Sequence, residues 1–276
     1  MSRLQTKSGF VNSGNARLYY ETAGQGIALV IIHAGVADSR QWNNEFAAFA
    51  RHYQVVRYDM RGYGKSEPVG GEFNHMDDLV AVLNALNLQE PVVIMGCSMG
   101  GGLAMDFALT HPSRTRALIM VGSAPSGLEL DVPAPAKFAE VEKAFEAGDL
   151  DLVSELETQV WFDGTGRTPE QVDQAMRKLL YEMNRQALAH EMKQLGKRLP
   201  NTQVPAFDRL SALEIPVLIV IGEHDTPYIL AAADYMIERV QSVEKVIIKD
   251  AAHLPNMDHP EEFQSHITRF LEGLSS

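Results

Sequence analysis

The chain has 276 residues, of which 45% are hydrophobic and 22% charged, as in an ordinary globular protein. Thirty-six acidic and 24 basic residues give a net charge of −12, which disfavours nucleic acid and anionic membranes as partners. The apolar runs are of strand length, far short of a membrane span, and the N-terminus lacks the apolar core of an export signal.

Six apolar, β-branched runs predict buried strands, and the opening stretch "RLYYETAGQG" predicts an additional edge strand. The six runs are 28–35, 54–60, 91–96, 116–122, 216–222 and 244–250. Between most of them, apolar residues recur three and four positions apart, which is typical of amphipathic helices. This alternation predicts an α/β fold with a mainly parallel, doubly wound sheet covered by helices on both faces.

One long segment breaks the alternation. Residues 126–204 show only helical patterns, and "TPEQVDQAMRKLLYEMNRQALAHEMKQLG" starts with Thr168 as a cap, Pro169 at the first helical position and Gln171 three residues after the cap. We therefore expect a core domain formed by 1–125 and 205–276, with 126–204 as an α-helical cap insertion.

The stretch "MGCSMGG" places Ser98 in a G-x-S-x-G pattern, directly after a predicted strand and before a predicted helix. This is the setting of a nucleophile elbow, in which the backbone doubles back and exposes the serine hydroxyl. A glycine-rich turn with an incidental serine is the alternative for so short a motif.

A serine nucleophile needs a histidine base, and the base needs an acid that orients it. Asp225 in "IGEHD" and His253 in "AAHLP" each follow a predicted strand, where an open parallel sheet gathers its site residues. The expected catalytic residues are thus Ser98, Asp225 and His253. Glu223 is a rival acid, and Asp225 alone is also compatible with capping the next helix.

Acyl transfer also requires backbone donors for the developing oxyanion. The N–H of Met99, directly after the nucleophile, is one candidate. The loop "HAGVADSRQW" after an earlier strand offers Gly35 as the other, and we interpret His33 as a residue that braces this loop.

Five ordered segments between about residue 15 and 274 carry a resemblance to a known family. They are "HAGVADSRQW", "YDMRGYGKS", "GCSMGG", "GEHD" and "AAHLPNMDHPEEF". The chain resembles the α/β-hydrolase fold superfamily, in its small esterase, enol-lactonase and haloperoxidase-like branch. The resemblance implies a Ser98–Asp225–His253 triad with N–H donors at Gly35 and Met99. It departs from the family at two positions, where Ala34 replaces a usual glycine and Val36 a frequent proline.

The resemblance further implies that Asp59, Arg61 and Gly62 are structural. It also argues against haloalkane dehalogenases and epoxide hydrolases of this fold, which use aspartate where this chain has Ser98.

The expected activity is that of a serine hydrolase, a carboxylesterase or lactonase, which cleaves small-molecule esters or lactones through an acyl-enzyme on Ser98. No cofactor and no metal are expected, since no cluster of His, Cys and carboxylates suggests a metal site. Carbon–carbon bond hydrolase and perhydrolase activity with the same triad remain open, as does a non-catalytic small-molecule receptor of this fold. We expect a monomer or homodimer.

The substrate pocket is expected to involve five apolar side chains. They are Val36, Leu128, Trp161, Phe162 and Leu254. For those in the predicted cap, packing within the cap is the alternative.

Three arginines of the predicted cap, Arg167, Arg177 and Arg185, are candidates to pair with a substrate carboxylate, although most helical arginines are solvated. Cys97, the single cysteine, cannot form an internal disulfide and is expected to point into the core as a small apolar residue. With no export signal, these features predict a cytoplasmic protein.

Overall fold

The computed structural model describes residues 5–274. The strands are β1 (Lys7–Ser13), β2 (Ala16–Ala23), β3 (Ala28–Ile32), β4 (Gln54–Tyr58), β5 (Glu72–Phe73), β6 (Val92–Cys97), β7 (Thr115–Val121), β8 (Lys197–Arg198), β9 (Val217–Gly222) and β10 (Val243–Ile248). The α-helices are α1 (Asn43–Phe49), α2 (His75–Ala85), α3 (Met99–Thr110), α4 (Lys137–Glu146), α5 (Leu150–Thr158), α6 (Gln174–Glu191), α7 (Pro227–Ile237), α8 (Pro255–Asp258) and α9 (Pro260–Gly273).

Eight strands form a central sheet in the order β1-β2-β4-β3-β6-β7-β9-β10. β2 pairs antiparallel with both β1 and β4, and all other neighbours are parallel. The predicted mainly parallel α/β sheet is confirmed. The stretch predicted as an edge strand forms β2, but β2 is not at the edge, because the unpredicted strand β1 forms a hairpin with it and is itself the edge strand.

Alternate side chains of the parallel strands enter two separate hydrophobic cores. In β3, Val30 and Ile32 pack in the core that contains residues of α2, α3 and α7, whereas Leu29 and Ile31 pack in the core that contains residues of α1 and α9. All four side chains are fully buried. Burial on both faces explains why these strands are continuous apolar runs in the sequence.

The segment 126–204 contains α4, α5 and α6, as its helical pattern predicts, but also β8, which pairs in parallel with β5. The capping box at Thr168 and Gln171 is present, yet it starts only a short 3-10 turn, Pro169–Gln171. Val172 is extended, and α6 begins at Gln174 with the Asp173 side chain as its cap. The predicted single helix from Thr168 is therefore corrected to a turn followed by α6.

Side-chain contacts connect this segment to the rest of the chain. Gln186 in α6 donates to the Gly64 carbonyl at 2.7 Å, and Arg167 pairs with Asp258 at 2.7 Å. These contacts bring the segment beside the loops that follow β4 and β10, at the carboxyl ends of the parallel strands.

Candidate active site

Ser98 occupies a sharp turn between β6 and α3. Its backbone angles, φ 51° and ψ −116°, lie in a region that non-glycine residues rarely adopt. Its N–H donates to the Val121 carbonyl at 2.8 Å, which continues the sheet up to the serine itself. The strained turn matches the predicted nucleophile elbow and presents the serine to a cavity beyond the sheet.

The glycines on either side of Ser98 are required by close backbone approach. A Cβ at Gly96 would lie 2.2 Å from the Gly100 oxygen, and a Cβ at Gly100 would lie 2.5 Å from the His33 oxygen. At Gly102 the nearest atom would be the Ala124 oxygen at 3.6 Å, an ordinary contact. The motif glycines therefore let α3 start directly against the end of β3.

His253 and Asp225 form a buried pair. The Nδ1 atom of His253 lies 3.0 and 2.9 Å from the two carboxylate oxygens of Asp225, and both residues are 2% exposed. Asp225 Oδ1 also accepts the Thr226 N–H at 2.7 Å, which fixes the carboxylate. Because Nδ1 faces the carboxylate, Nε2 is the ring nitrogen left for proton transfer, and His253 lines the same cavity as Ser98.

The rival acid, Glu223, lies elsewhere. It is exposed and accepts the Asp250 N–H at 3.1 Å. Asp225 is thus the carboxylate that contacts His253.

Trp161 covers His253, with ring centroids 4.5 Å apart. It lies in a π-helical turn, Gln159–Asp163, that follows α5, and it lines the cavity. An indole against the imidazole restricts both the orientation of the ring and the access of water to it.

Gly35 and Met99 are neighbours in space, as expected for two donors of one oxyanion hole. A Cβ at Gly35 would lie 3.7 Å from the Met99 Cβ. Met99 is the first residue of α3, so its N–H has no acceptor one turn earlier in the helix. Among residues 5–274, the Gly35 N–H likewise has no hydrogen-bond acceptor.

Buried polar side chains hold the Gly35 loop in place. His33 donates from Nδ1 to the Ala34 oxygen at 2.8 Å and accepts the Met60 N–H on Nε2 at 3.0 Å. Both ring nitrogens are thereby used, and burial lowers the pKa of His33, so the ring is neutral. The interpretation of His33 as a brace is confirmed.

A second brace, which the sequence analysis missed, connects this loop to the loop after His253. Gln41 accepts the Ala34 N–H at 2.8 Å and donates to Asn256 Oδ1 at 3.2 Å. Asn256 donates back to the Gln41 carbonyl at 2.9 Å and to the buried Glu45 at 3.2 Å. Burial raises the pKa of Glu45 to about 7. Gln41 and Asn256 are 215 residues apart in the sequence, so no local sequence pattern indicates this network.

The Asp59–Gly62 segment is structural, as the resemblance implied. Asp59 accepts the N–H groups of Ser39 and Lys65, both at 2.8 Å. Arg61 pairs with the buried Asp78 at 2.7 Å. These contacts shape the loop after β4.

Cys97 is fully buried and its Sγ contacts the His253 carbonyl at 3.8 Å. Burial raises the pKa of its thiol to about 12, so the thiol is neutral and unreactive. The predicted core position is confirmed.

The cavity beside Ser98 and His253 has a volume of about 700 Å³. Its apolar walls come from α3, from the proline-rich loop 132–135, from Phe138 and Trp161, and from Tyr228. A second cavity of about 600 Å³ adjoins it and is lined by Gly35 and Val36. The proline-rich loop 132–135 has neither a helix nor a strand pattern, so it was not predicted as part of the site.

Of the five predicted pocket residues, Trp161 lines the first cavity and Val36 the second. Phe162 and Leu254 are fully buried in the core that also holds α1 and α9, so they do not face either cavity. Leu128 is 8% exposed and likewise lines neither, although its carbonyl accepts the Tyr228 hydroxyl at 2.7 Å. Those three assignments are corrected.

The three candidate arginines are also corrected, because each is already paired with carboxylates of the chain. Arg167 pairs with Asp258 at 2.7 Å, and Arg185 with Asp151 at 2.5 Å. Arg177 contacts both Glu155 and Asp163, which raise its pKa. None of the three lines the two cavities.

Within residues 5–274, one group of three side chains brings possible metal-ligating atoms within 4.8 Å of one another, Glu223, His224 and Asp250. Two of them are exposed, and all lie outside the Ser98 cavity. In the same part of the chain, every helix is too short or too polar to cross a bilayer.

A model of the alpha/beta hydrolase fold matches residues 27–260, which is most of the chain. This match agrees with the sheet order, the strained serine turn and the His253–Asp225 pair. The chain therefore belongs to the α/β-hydrolase fold family.

Several similar proteins within this family have a described activity. A pimeloyl-[acyl-carrier protein] methyl ester esterase of Aeromonas hydrophila is 30% identical over 91% of this chain and 98% of its own length. A 2-hydroxy-6-oxo-6-(2'-aminophenyl)hexa-2,4-dienoic acid hydrolase of Metapseudomonas resinovorans is 28% identical over 95% and 90%. The crystal structure of the enol-lactonase from Burkholderia xenovorans LB400 covers 96% of this chain with 100% of its own, at 19% identity and a TM-score of 0.76. The methyl ester esterase, at 30% identity, supports placing the chain among the small esterases of this family, whereas the enol-lactonase structure, at 19% identity, shows a shared fold.

Proposed function

We propose that this hydrolase cleaves carboxylic esters or lactones through an acyl-enzyme on Ser98. The observation that carries the proposal is the buried contact of His253 Nδ1 with both oxygens of Asp225, on the cavity that the strained Ser98 also lines. A pre-oriented imidazole that lines the same cavity as a half-buried serine is the arrangement that acyl transfer needs.

In the proposed mechanism, Nε2 of His253 takes the Ser98 proton as Oγ attacks the carbonyl carbon. Asp225 holds the imidazole and stabilises its positive charge. The Gly35 and Met99 N–H groups receive the oxyanion of the tetrahedral intermediate. His253 then gives the proton to the leaving alkoxide, and a second cycle with water releases the acid and restores Ser98.

We further propose that segment 126–204 acts as a cap. Trp161 from this segment packs against His253, and Phe138 forms part of the same wall, so the segment supplies apolar surface for the acyl or alcohol group. The small-molecule substrate would enter beneath it.

The test is steady-state hydrolysis of p-nitrophenyl esters from acetyl to decanoyl and of a simple lactone series, with wild type and Ser98→Ala. We expect turnover that falls to background in Ser98→Ala, while the folded structure is retained by circular dichroism. Ester turnover that is unchanged in Ser98→Ala would contradict the proposal.

Carbon–carbon bond hydrolysis is the second candidate, favoured by the similarity to a hydrolase of a 2-hydroxy-6-oxo-dienoic acid. Such a reaction would use the same serine and histidine. Turnover of a 2-hydroxy-6-oxo-dienoate, followed by loss of its absorbance, with no turnover of any ester or lactone would select it.

A further inference from the structure

The two cavities meet beside the proposed nucleophile, and two side chains, His75 and Arg198, line both of them. Arg198 is held there by its backbone. Lys197 N–H donates to the Gly71 carbonyl at 2.9 Å, and Leu199 N–H donates to the Phe73 carbonyl at 2.7 Å, on either side of it.

The neighbouring residue shows which way this short strand faces. Lys197 pairs with the exposed Glu72 at 3.0 Å. Successive side chains of a strand point to opposite sides, so Arg198 points away from that pair and into the cavities.

Two strong donors converge on one weak acceptor at this junction. Arg198 Nη1 lies 2.9 Å from the Met99 Sδ, and the Tyr63 hydroxyl lies 4.0 Å from the same sulfur. Among residues 5–274, no carboxylate lies within 4.0 Å of the Arg198 guanidinium. A thioether accepts hydrogen bonds poorly, so within the described part of the chain neither donor has an oxygen acceptor, and the exposed Arg198 side chain is open to a ligand from solvent.

The surrounding charges disfavour a dianion more strongly than a monoanion as the ligand. Arg61 is neutralised by Asp78 at 2.7 Å, whereas Glu157 and Glu191 line the second cavity with Arg198. Two carboxylates in that cavity repel any anion, and they repel a dianion such as phosphate about twice as strongly as a carboxylate. Burial raises the pKa of Tyr63 to about 12, so its hydroxyl remains a donor at neutral pH.

We propose that Arg198 and Tyr63 form a carboxylate subsite, so that the preferred substrates are esters or lactones bearing a free carboxylate. The planar guanidinium matches the two oxygens of a carboxylate, and its position beside Met99 places the bound group close to the reacting carbonyl. This inference rests on the proposed function and specifies its substrate class.

The test compares mono-p-nitrophenyl glutarate with its neutral counterpart, p-nitrophenyl pentanoate. For Arg198→Gln we expect kcat/KM to fall about 10- to 100-fold for the charged ester and by no more than about twofold for the neutral one. Arg198→Lys, which keeps the charge without the planar fork, should lie in between. Lys197→Gln, which removes an equal charge one residue away, is the matched control and should change neither value.

Three results would overturn the subsite. The first is an equal loss of both esters in Arg198→Gln, which indicates a structural role. The second is an equal effect of Lys197→Gln on the charged ester, which indicates a long-range field. The third is competitive inhibition by inorganic phosphate that is stronger than inhibition by monomethyl glutarate.

A binding measurement separates failure of the subsite from failure of the proposed function. Monomethyl glutarate is titrated calorimetrically into Ser98→Ala and into Ser98→Ala/Arg198→Gln. Binding that weakens about 10-fold in the double variant supports the subsite even if wild type turns over neither ester. Equal binding by the two variants, or none by either, overturns it.

Discussion

The substitution Gly100→Ala should move the two proposed oxyanion donors, the N–H groups of Gly35 and Met99, farther apart. A Cβ at this position would lie 2.5 Å from the His33 oxygen and 2.6 Å from the Ile32 oxygen, both backbone atoms at the end of β3. To reach even 3.0 Å, α3 and β3 must move apart by about 0.5 Å. That movement increases the distance between the Met99 N–H on α3 and the Gly35 N–H on the loop after β3.

The expected magnitudes follow from two opposing effects. Overpacking a tight site costs about 1–3 kcal/mol, while glycine to alanine in a helix gains about 0.5–1 kcal/mol, so Gly100→Ala should lose up to about 2.5 kcal/mol of unfolding free energy. Because displacements of about 1 Å in a catalytic site cost about 10²-fold in rate, a shift half as large should lower kcat about 10-fold.

The assay combines urea unfolding with hydrolysis of p-nitrophenyl acetate. Gly102→Ala is the matched control for stability, since its Cβ would meet only the Ala124 oxygen at 3.6 Å. It should gain about 0.5–1 kcal/mol. Equal stability changes in the two variants, or a Gly100→Ala enzyme with wild-type kcat, would refute the reasoning.

Three further predictions concern other parts of the site. Asp225→Asn should lower kcat about 10³- to 10⁴-fold with little change in KM, because the amide no longer holds the imidazole tautomer; a loss below about 10-fold in steady-state kinetics would contradict the role of the pair. Glu45, whose pKa is raised to about 7, binds its proton more tightly in the folded state, so its contribution to stability is present below its unfolded pKa and is lost as pH rises through about 7. The unfolding free energy of wild type relative to Glu45→Gln should therefore fall by about 2–3 kcal/mol between pH 5 and 8, measured by urea titration, and a pH-independent difference would show that the carboxyl is not held neutral. Cys97 should react with a disulfide reagent at pH 8 only at the rate of unfolding, and rapid labelling of the native protein would contradict its burial.

The main features of the fold were predictable because each local pattern agrees with the global arrangement. Parallel strands buried on both faces appear in the sequence as continuous apolar runs. The loops that follow these strands lie at the same edge of the sheet, so the residues of the active site are expected there. Ser98, Asp225 and His253 were identified in this way, since each directly follows such a run.

Side-chain direction within the helical segment was not predictable. Trp161 and Phe162 are adjacent in the sequence, but the first covers His253 and the second is fully buried in the core. The local π-helical turn that separates their directions has no distinct sequence signal.

Pairing across long separations was equally hidden. Arg177 meets Glu155 and Asp163 through the packing of α6 on α5, so its charge is used within the chain. Arg198 reaches the cavities only because Lys197–Arg198 pairs with a strand more than 120 residues earlier. Two-residue strands leave no periodicity from which to predict them.

The most direct test of the central claim is intact-protein mass spectrometry after treatment with a fluorophosphonate, which labels an activated serine covalently. We expect one adduct per chain in wild type, located on the peptide that contains Ser98, with none in Ser98→Ala and strongly slowed labelling in His253→Ala. Folded wild-type protein that stays unlabelled, or an adduct on any other residue, would contradict a His253-activated Ser98 nucleophile.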